Sequence, residues 1–161
     1  MKVLSDNELR LRPIQLPEDL TAALPWYRDK EVLYYSEGEG TLPYDLKTIE
    51  RMYHYLLEIG ELYIIEFNQG YEWIPIGDAA LSKRMIPIVI GSKDYRGRGI
   101  GTRVISLLIK RAKELGGTKS GSIKYIITIS PREKCLKVWD LLKRKPNGMK
   151  REGNTIVLFL I

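Results

Sequence analysis

The sequence predicts an α/β (α+β) fold, a mixed and mostly antiparallel central sheet with helices on both faces. Three observations predict it: helical spacing gathers in the first third of the chain, three strand-like segments follow in succession, and helix then alternates with strand. No internal repeat, low-complexity tract or Pro/Gly/Ser-rich linker interrupts the 161 residues, so residues 1–161 read as one domain. A hydrophobic fraction of 44% and a charged fraction of 29% suit a globular chain long enough to bury a sizeable core.

Leu9-Arg10-Leu11-Arg12-Pro13-Ile14 alternates at period two and predicts the first strand. Pro17-Glu18-Asp19-Leu20 opens a helix through Tyr27, because proline is preorganised for a first helical turn and acidic groups favour its positive end. Residues 31–35 predict a further turn or short helix, and residues 37–43 a loop punctuated by two glycines and a proline. Between Asp45 and Ile59 the apolar residues Ile49, Met52, Tyr53, Leu56 and Leu57 share one helical side, with Gly60 as the stop. Residues 62–67, 74–81 and 86–90 read as consecutive strands, the first ended by the turn Asn68-Gln69-Gly70. Residues 100–115 form the clearest helix, with Val104, Ile105, Leu108, Ala112 and Leu115 on one stripe before Gly116-Gly117. Residues 124–129 predict a strand, 132–143 a helix, and 155–161 a closing strand.

No apolar run approaches the roughly 18 residues of a membrane span. Met1-Lys2-Val3-Leu4-Ser5-Asp6 lacks the apolar stretch of a secretory signal, so a cytoplasmic location is expected. A single cysteine, Cys135, excludes an internal disulfide framework and a cysteine-rich zinc site; a single histidine, His54, excludes a multi-histidine metal centre. No metal is expected. Two Gln and four Asn beside many Lys, Glu and Ile lean toward a thermophilic source.

Net charge is +6, unevenly spread. Residues 1–80 hold 7 Lys+Arg against 15 Asp+Glu, and residues 81–161 hold 19 against 5. This split suggests that the halves face different partners, the basic half a phosphate-rich ligand and the acidic half a cationic one. An unevenly charged solvated surface is the plainer alternative.

The sharpest local signal runs from Ile88 to Arg103: a strand ends, a basic glycine-rich loop follows, and an amphipathic helix starts. Glycines let the backbone approach a ligand and turn N–H groups inward, while a helix N-terminus adds about half a positive charge. Arg96, Arg98 and Arg103 are expected to strengthen that field, since guanidinium groups bind phosphate oxygens bidentately. A dinucleotide fingerprint needs G-x-G-x-x-G in a first βαβ unit, whereas Gly97, Gly99 and Gly101 alternate in mid-chain. A nucleotide-triphosphate loop needs Gly-Lys before Ser or Thr, whereas Gly101 precedes Thr102-Arg103. A plain glycine turn between strand and helix is the remaining alternative.

Arg96-Gly97-Arg98-Gly99-Ile100-Gly101 resembles the Q/R-x-x-G-x-G/A signature of the GNAT superfamily of acyl-CoA-dependent N-acetyltransferases. The flanking strand and helix fall where that family puts them, and residues 74–142 carry the alignment. Trp26-Tyr27-Arg28-Asp29-Lys30-Glu31-Val32 with Pro43-Tyr44 looks like the branch containing ribosomal-protein N-acetyltransferases. The resemblance implies a GNAT-like fold with acetyl-CoA as donor. Backbone groups of Val89, Ile90 and Gly91 would pair with the pantetheine arm, where the strand splays from its neighbour. The N–H near Ile90 would polarise the thioester carbonyl, and N–H groups of Gly97, Arg98, Gly99, Ile100, Gly101 and Thr102 would hold the pyrophosphate.

Three positions depart from the family pattern. Arg132 stands where relatives have Asn, Trp139 where a Tyr protonates the leaving thiolate, and Ile127 where a Glu is frequent. Cys135 falls at a small packing position, and Lys143-Arg144-Lys145-Pro146-Asn147 resembles a small insertion. An indole is no general acid, so the base must come from elsewhere. Asp78 sits mid-strand, on the side of Ile76 and Ala80, where burial would raise its pKa toward that of a base; a hydrogen-bonded sheet residue is the alternative. Glu37 and Glu39, in the early loop, would attract a cationic acceptor and offer a second base, or simply face solvent. Tyr34, Tyr35 and Tyr44 would wall the acceptor pocket or pack as ordinary aromatics.

The expected activity is acetyl transfer to a primary amine in a ternary complex, the acceptor being a polyamine, another amine-bearing small molecule or a protein N-terminus. A CoA-binding regulatory module without turnover is the alternative, motivated by Trp139. A nucleic-acid-binding domain is the third reading, suggested by the basic half, but no recognition helix or RNA-binding aromatic motif accompanies it. Specific nucleic-acid and membrane partners are not expected; the sequence does not fix the oligomer, although the resemblance implies a terminal strand of a kind that often pairs across a homodimer.

Overall fold

Leu9–Pro13 forms a strand as its alternation requires, and a second strand precedes it. In this computed structural model the described residues are 1–37, 40–83, 85–116, 122–129 and 153–160, with residues 35–37, 122–129 and 153–160 described as backbone alone. The hairpin of β1 (Leu4–Asp6) and β2 (Leu9–Pro13) turns through Asn7 at φ 50°, a left-handed conformation that asparagine tolerates.

The helix expected through Tyr27 is shorter than its spacing implied. α1 (Asp19–Ala23) stops early, and a 3-10 turn covers Trp26–Arg28. Pro25 lies between them with no N–H to continue the helical ladder, which accounts for the break. α2 (Lys30–Glu37) follows, then α3 (Leu46–Ile59), whose start is fixed by the Asp45 carboxylate accepting from the Thr48 N–H at 2.8 Å.

β3 (Gly60–Asn68), β4 (Trp73–Ser82) and β5 (Met85–Ile90) follow as expected, the first starting at Gly60 itself. α4 (Ile100–Glu114), β6 (Ser122–Ile129) and β7 (Gly153–Leu160) complete the described elements. The expected helix at 132–143 lies outside the described residues, as do Arg132, Cys135, Trp139 and residues 143–147. The sheet runs β1-β2-β3-β4-β5-β7-β6, antiparallel through β5 and parallel at β5–β7 and β7–β6. It is mixed and mostly antiparallel, with helices on both faces.

Because both faces are covered, the central strands read as continuous apolar runs whose alternate residues enter opposite cores. Tyr63, Ile65, Ile88 and Ile90 pack with Ile100, Val104, Ile105 and Leu108 of α4. Leu62, Ile64, Ala80 and Val89 pack with Leu20, Val32, Ile49, Tyr53 and Leu56 of the other helices. One irregularity alters the expected facing of β4. Pro75 pairs with Glu66 and Gly77 with Ile65, so Ile76 is an extra residue between them. Such a bulge turns a side chain across the sheet. Ile76 therefore joins the α4 core, whereas Ala80 lies on the other face. Asp78 shares the face of Ala80 and not, as expected, that of Ile76, since it meets Tyr27 and Tyr53.

Candidate active site

β5 delivers the chain to the glycine loop. Beyond Gly91 a short 3-10 turn over Lys93–Tyr95 is closed by Tyr95 N–H on the Ser92 carbonyl at 3.2 Å and Arg96 N–H on the Lys93 carbonyl at 3.1 Å. Gly97 and Gly99 follow at φ 73° and 75°, a region that L side chains avoid. A Cβ added at either would meet nothing within 4 Å, so these glycines are required by backbone conformation and leave open space on that side. Gly99 caps α4, and the first bond into the helix is Arg103 N–H to the Gly99 carbonyl at 3.3 Å. Among the described residues, the N–H groups from Gly97 through Thr102 have no acceptor within the protein. Consecutive unpartnered amides at a helix N-terminus form a donor array suited to a diphosphate.

The three arginines divide their roles, and two differ from expectation. Arg103 is committed to the β1–β2 hairpin, with Nε on Asp6 at 2.7 Å, Nη1 on Glu8 at 2.6 Å and Nη2 on the Asp6 carbonyl. Arg96 donates to the carbonyls of Ile90 and Gly91 and to the carboxylates of Asp29 and Glu31. With its own N–H on Lys93, Arg96 offers a ligand neither a free guanidinium nor a free amide. Its spacing suggested a phosphate ligand because sequence does not show distant carboxylates. Arg98 is exposed, makes no ion pair among the described residues, and lies 5.5 Å from the Tyr95 ring centroid. It is the loop arginine left for an anion.

Among the described residues, the end of β5 is held on one side only. Ile88, Val89 and Ile90 pair with Ala79, Asp78 and Gly77 of β4, whereas the ladder to β7 spans Met85 to Ile88 and stops. Val89 and Ile90 thus lie beyond the last described partner on that side, a strand edge without a described neighbour, of the kind an extended amide chain can join. Gly91 meets a different demand: a Cβ there would lie 2.0 Å from Trp26 Cγ, so the indole packs directly on its backbone. Beside this contact opens a cleft of about 700 Å³, lined by Pro25, Trp26, Arg28, Asp29, Lys30 and Pro75 together with residues 91–93. It separates the base of the glycine loop from the start of α2.

Asp78 is buried at 2% exposure and accepts from Tyr27 Oη at 2.9 Å and Tyr53 Oη at 2.8 Å. Burial pushes its carboxyl up to about 6, against the two phenolic hydrogen bonds that favour the charged form. Burial and an elevated pKa were both expected; Asp78 nevertheless lines no part of the cleft. Tyr27, itself 3% exposed, follows Trp26 of the cleft lining in sequence, and its ring stacks on Tyr44 at 5.7 Å. Desolvation and the Asp78 charge raise the Tyr53 hydroxyl well above its ordinary value, so it stays a donor.

Tyr34 is 56% exposed on α2 and does not line this cleft. The side chains of Tyr35 and Glu37, and all of Glu39, lie outside the described residues. Sequence reasoning missed Trp26 and Asp29, whose positions show only once the 3-10 turn at Trp26–Arg28, α2 and the loop are brought together; the glycine at 91 was the available signal for a close neighbour.

Residues 85–134 match the acetyltransferase (GNAT) family, a span that takes in β5, the glycine loop and α4. That span, with the glycine loop at its centre, carries the likeness to an acetyltransferase. The fold is shared with solved structures of low identity. A domain from Methanocaldococcus jannaschii DSM 2661 superposes with TM-score 0.57 at 22% identity, covering 67% of this chain and 71% of that one. Spermidine N-acetyltransferase from Vibrio cholerae, solved with CoA and spermine, gives 0.53 at 17%, covering 70% and 68%. The aminoglycoside acetyltransferase AAC(6')-Ib, solved with coenzyme A, gives 0.52 at 17%, covering 66% and 68%. No curated protein matches the sequence.

Proposed function

We propose that the protein moves an acetyl group from acetyl-CoA to a primary amine by direct transfer in a ternary complex. The observation that carries this reading is the run of amides from Gly97 through Thr102 without a protein acceptor, at the start of α4. These amides and Arg98 would take the diphosphate, and the edge of β5 at Val89 and Ile90 the pantetheine amides. With the Ile90 carbonyl already engaged by Arg96, the N–H near Ile90 is left to polarise the thioester carbonyl.

In the transfer a C–N bond forms as the C–S bond breaks, and the amine gives up one proton. A thiolate is a good leaving group near neutral pH, so a tryptophan at position 139 does not prevent reaction. Asp78 is the described carboxylate whose pKa, about 6, suits a proton acceptor, and Tyr27 would relay to it. Glu39 is the second candidate base, with Glu37, Tyr34 and Tyr35 on the acceptor side.

Calorimetric titration with acetyl-CoA, followed by thiol release over polyamines, aminoglycosides and peptide N-termini, tests the reading. Absence of CoA binding at tens of micromolar would refute it. The enclosure of Asp78 favours a second reading, a CoA-binding regulatory module without turnover. Binding without thiol release across the whole panel selects that one.

A further inference from the structure

Arg96 lies immediately before the unpartnered amides, yet its side chain turns away from them. Its Nε donates to the Ile90 carbonyl at 2.8 Å and its Nη2 to the Gly91 carbonyl at 2.7 Å, gripping the end of β5. Nη2 also reaches Asp29 Oδ2 at 2.8 Å, and Nη1 reaches Glu31 Oε2 at 2.9 Å. One planar group therefore joins the last residues of β5 to the first of α2.

The attachment to α2 is stiff. Asp29 precedes the helix, its Oδ1 accepts from the Glu31 N–H at 3.0 Å, and its carbonyl accepts from the Leu33 N–H at 3.1 Å. This is the hydrogen-bonding pattern of an N-cap, so whatever moves Asp29 moves the first turn of α2. Lys93 adds a second arm to Asp29 at 3.6 Å. The Arg96 and Asp29 side chains are 16% and 13% exposed, sheltered enough for their pair to hold a defined geometry. Burial pushes the Asp29 carboxyl up, but Arg96, the Glu31 amide and Lys93 outweigh it and keep the group ionised below its ordinary value. The linkage spans the cleft described above, with residues 91–93 on one wall and residues 28–30 on the other.

We propose that Arg96 is a positioning residue that couples occupancy of the glycine loop to the placement of α2, so that binding the donor orders the wall facing the acceptor. The inference rests on the assignment of the loop to acetyl-CoA. A ligand that immobilises the amides of residues 97–102 fixes the backbone at Arg96, and the guanidinium passes that restraint to Asp29 and Glu31. Lysine would keep the charge but not the fork that reaches four acceptors.

Hydrogen exchange with and without CoA, read by mass spectrometry, tests it. In the wild type CoA should slow exchange of residues 97–102 and also, by about tenfold, that of residues 30–37. Arg96→Lys should leave CoA-free exchange of α2 within about twofold of wild type while abolishing the CoA response there. Glu31→Gln, which alters an exposed partner, should weaken the same response without altering loop protection. Equal acceleration of α2 by Arg96→Lys with and without CoA would reveal a merely structural role and overturn the proposal. Loop protection in the wild type with α2 unchanged would overturn the coupling alone. No heat of binding and no protection anywhere would bring down the loop assignment, and the coupling with it.

Discussion

Gly99 concentrates two demands on one position. Its φ of 75° strains any L side chain, and the space beside it is open. Gly99→Val should abolish measurable CoA binding by calorimetry while lowering stability by only about 1–2 kcal/mol, the cost of a left-handed residue. Gly91→Ala has the opposite character: its Cβ would overlap Trp26, and a denaturant titration should show a loss of about 1–3 kcal/mol. Asp78 adds a pH dependence. Its folded pKa is raised from 3.8 to about 6, so the folded state binds more protons between those values, and this group's contribution to stability falls as pH rises through that window. Relative to wild type, Asp78→Asn should therefore gain roughly 3 kcal/mol of stability between about pH 4 and pH 7. A difference that stays flat with pH would show that the carboxyl is not raised.

The loop and α4 were legible from the sequence because their causes are local: alternating glycines, a helix stripe from Val104 to Leu108, and a strand running into both. Elsewhere the local rules were overridden. Pro25 broke a helix whose apolar spacing continued past it, and the Ile76 bulge broke the alternation of β4, which only pairing with β3 discloses. Arg96 and Arg103 were misjudged for a similar reason, since the carboxylate partners of Arg103 lie more than ninety residues away in sequence. Their contrast is measurable. Arg98→Ala should weaken CoA binding about threefold to tenfold, more so at low salt, as loss of an exposed cation near phosphate predicts. Arg103→Ala should instead lower the thermal midpoint by loosening β1 from α4, with CoA affinity within about twofold of wild type.

At the scale of the whole molecule, part of the uneven charge of the sequence is taken up between its two halves among the described residues. The acidic first half and basic second half pair with each other: Arg96 with Asp29 and Glu31, Arg103 with Asp6 and Glu8, Arg111 with Glu61, Lys93 with Asp29, and Lys2 of the first half with Glu114 of the second. Burial costs the Glu61 carboxyl something, but Arg111 holds it below its usual value. Several of the charges expected to attract separate ligands are therefore engaged within the fold, and Arg98 is the loop arginine without an ion pair among the described residues. The fold class was readable because burial on both sheet faces writes itself into apolar runs, whereas the cleft beside Gly91 was not, because it is assembled from residues remote in sequence. The interlocking of the halves also bears on how such a chain can be recombined. A hybrid joining residues 1–80 to the remainder of a distant homologue would inherit carboxylates whose cationic counterparts had stayed behind in the other parent, so exchangeable blocks in this lineage should be sought elsewhere than at the midpoint.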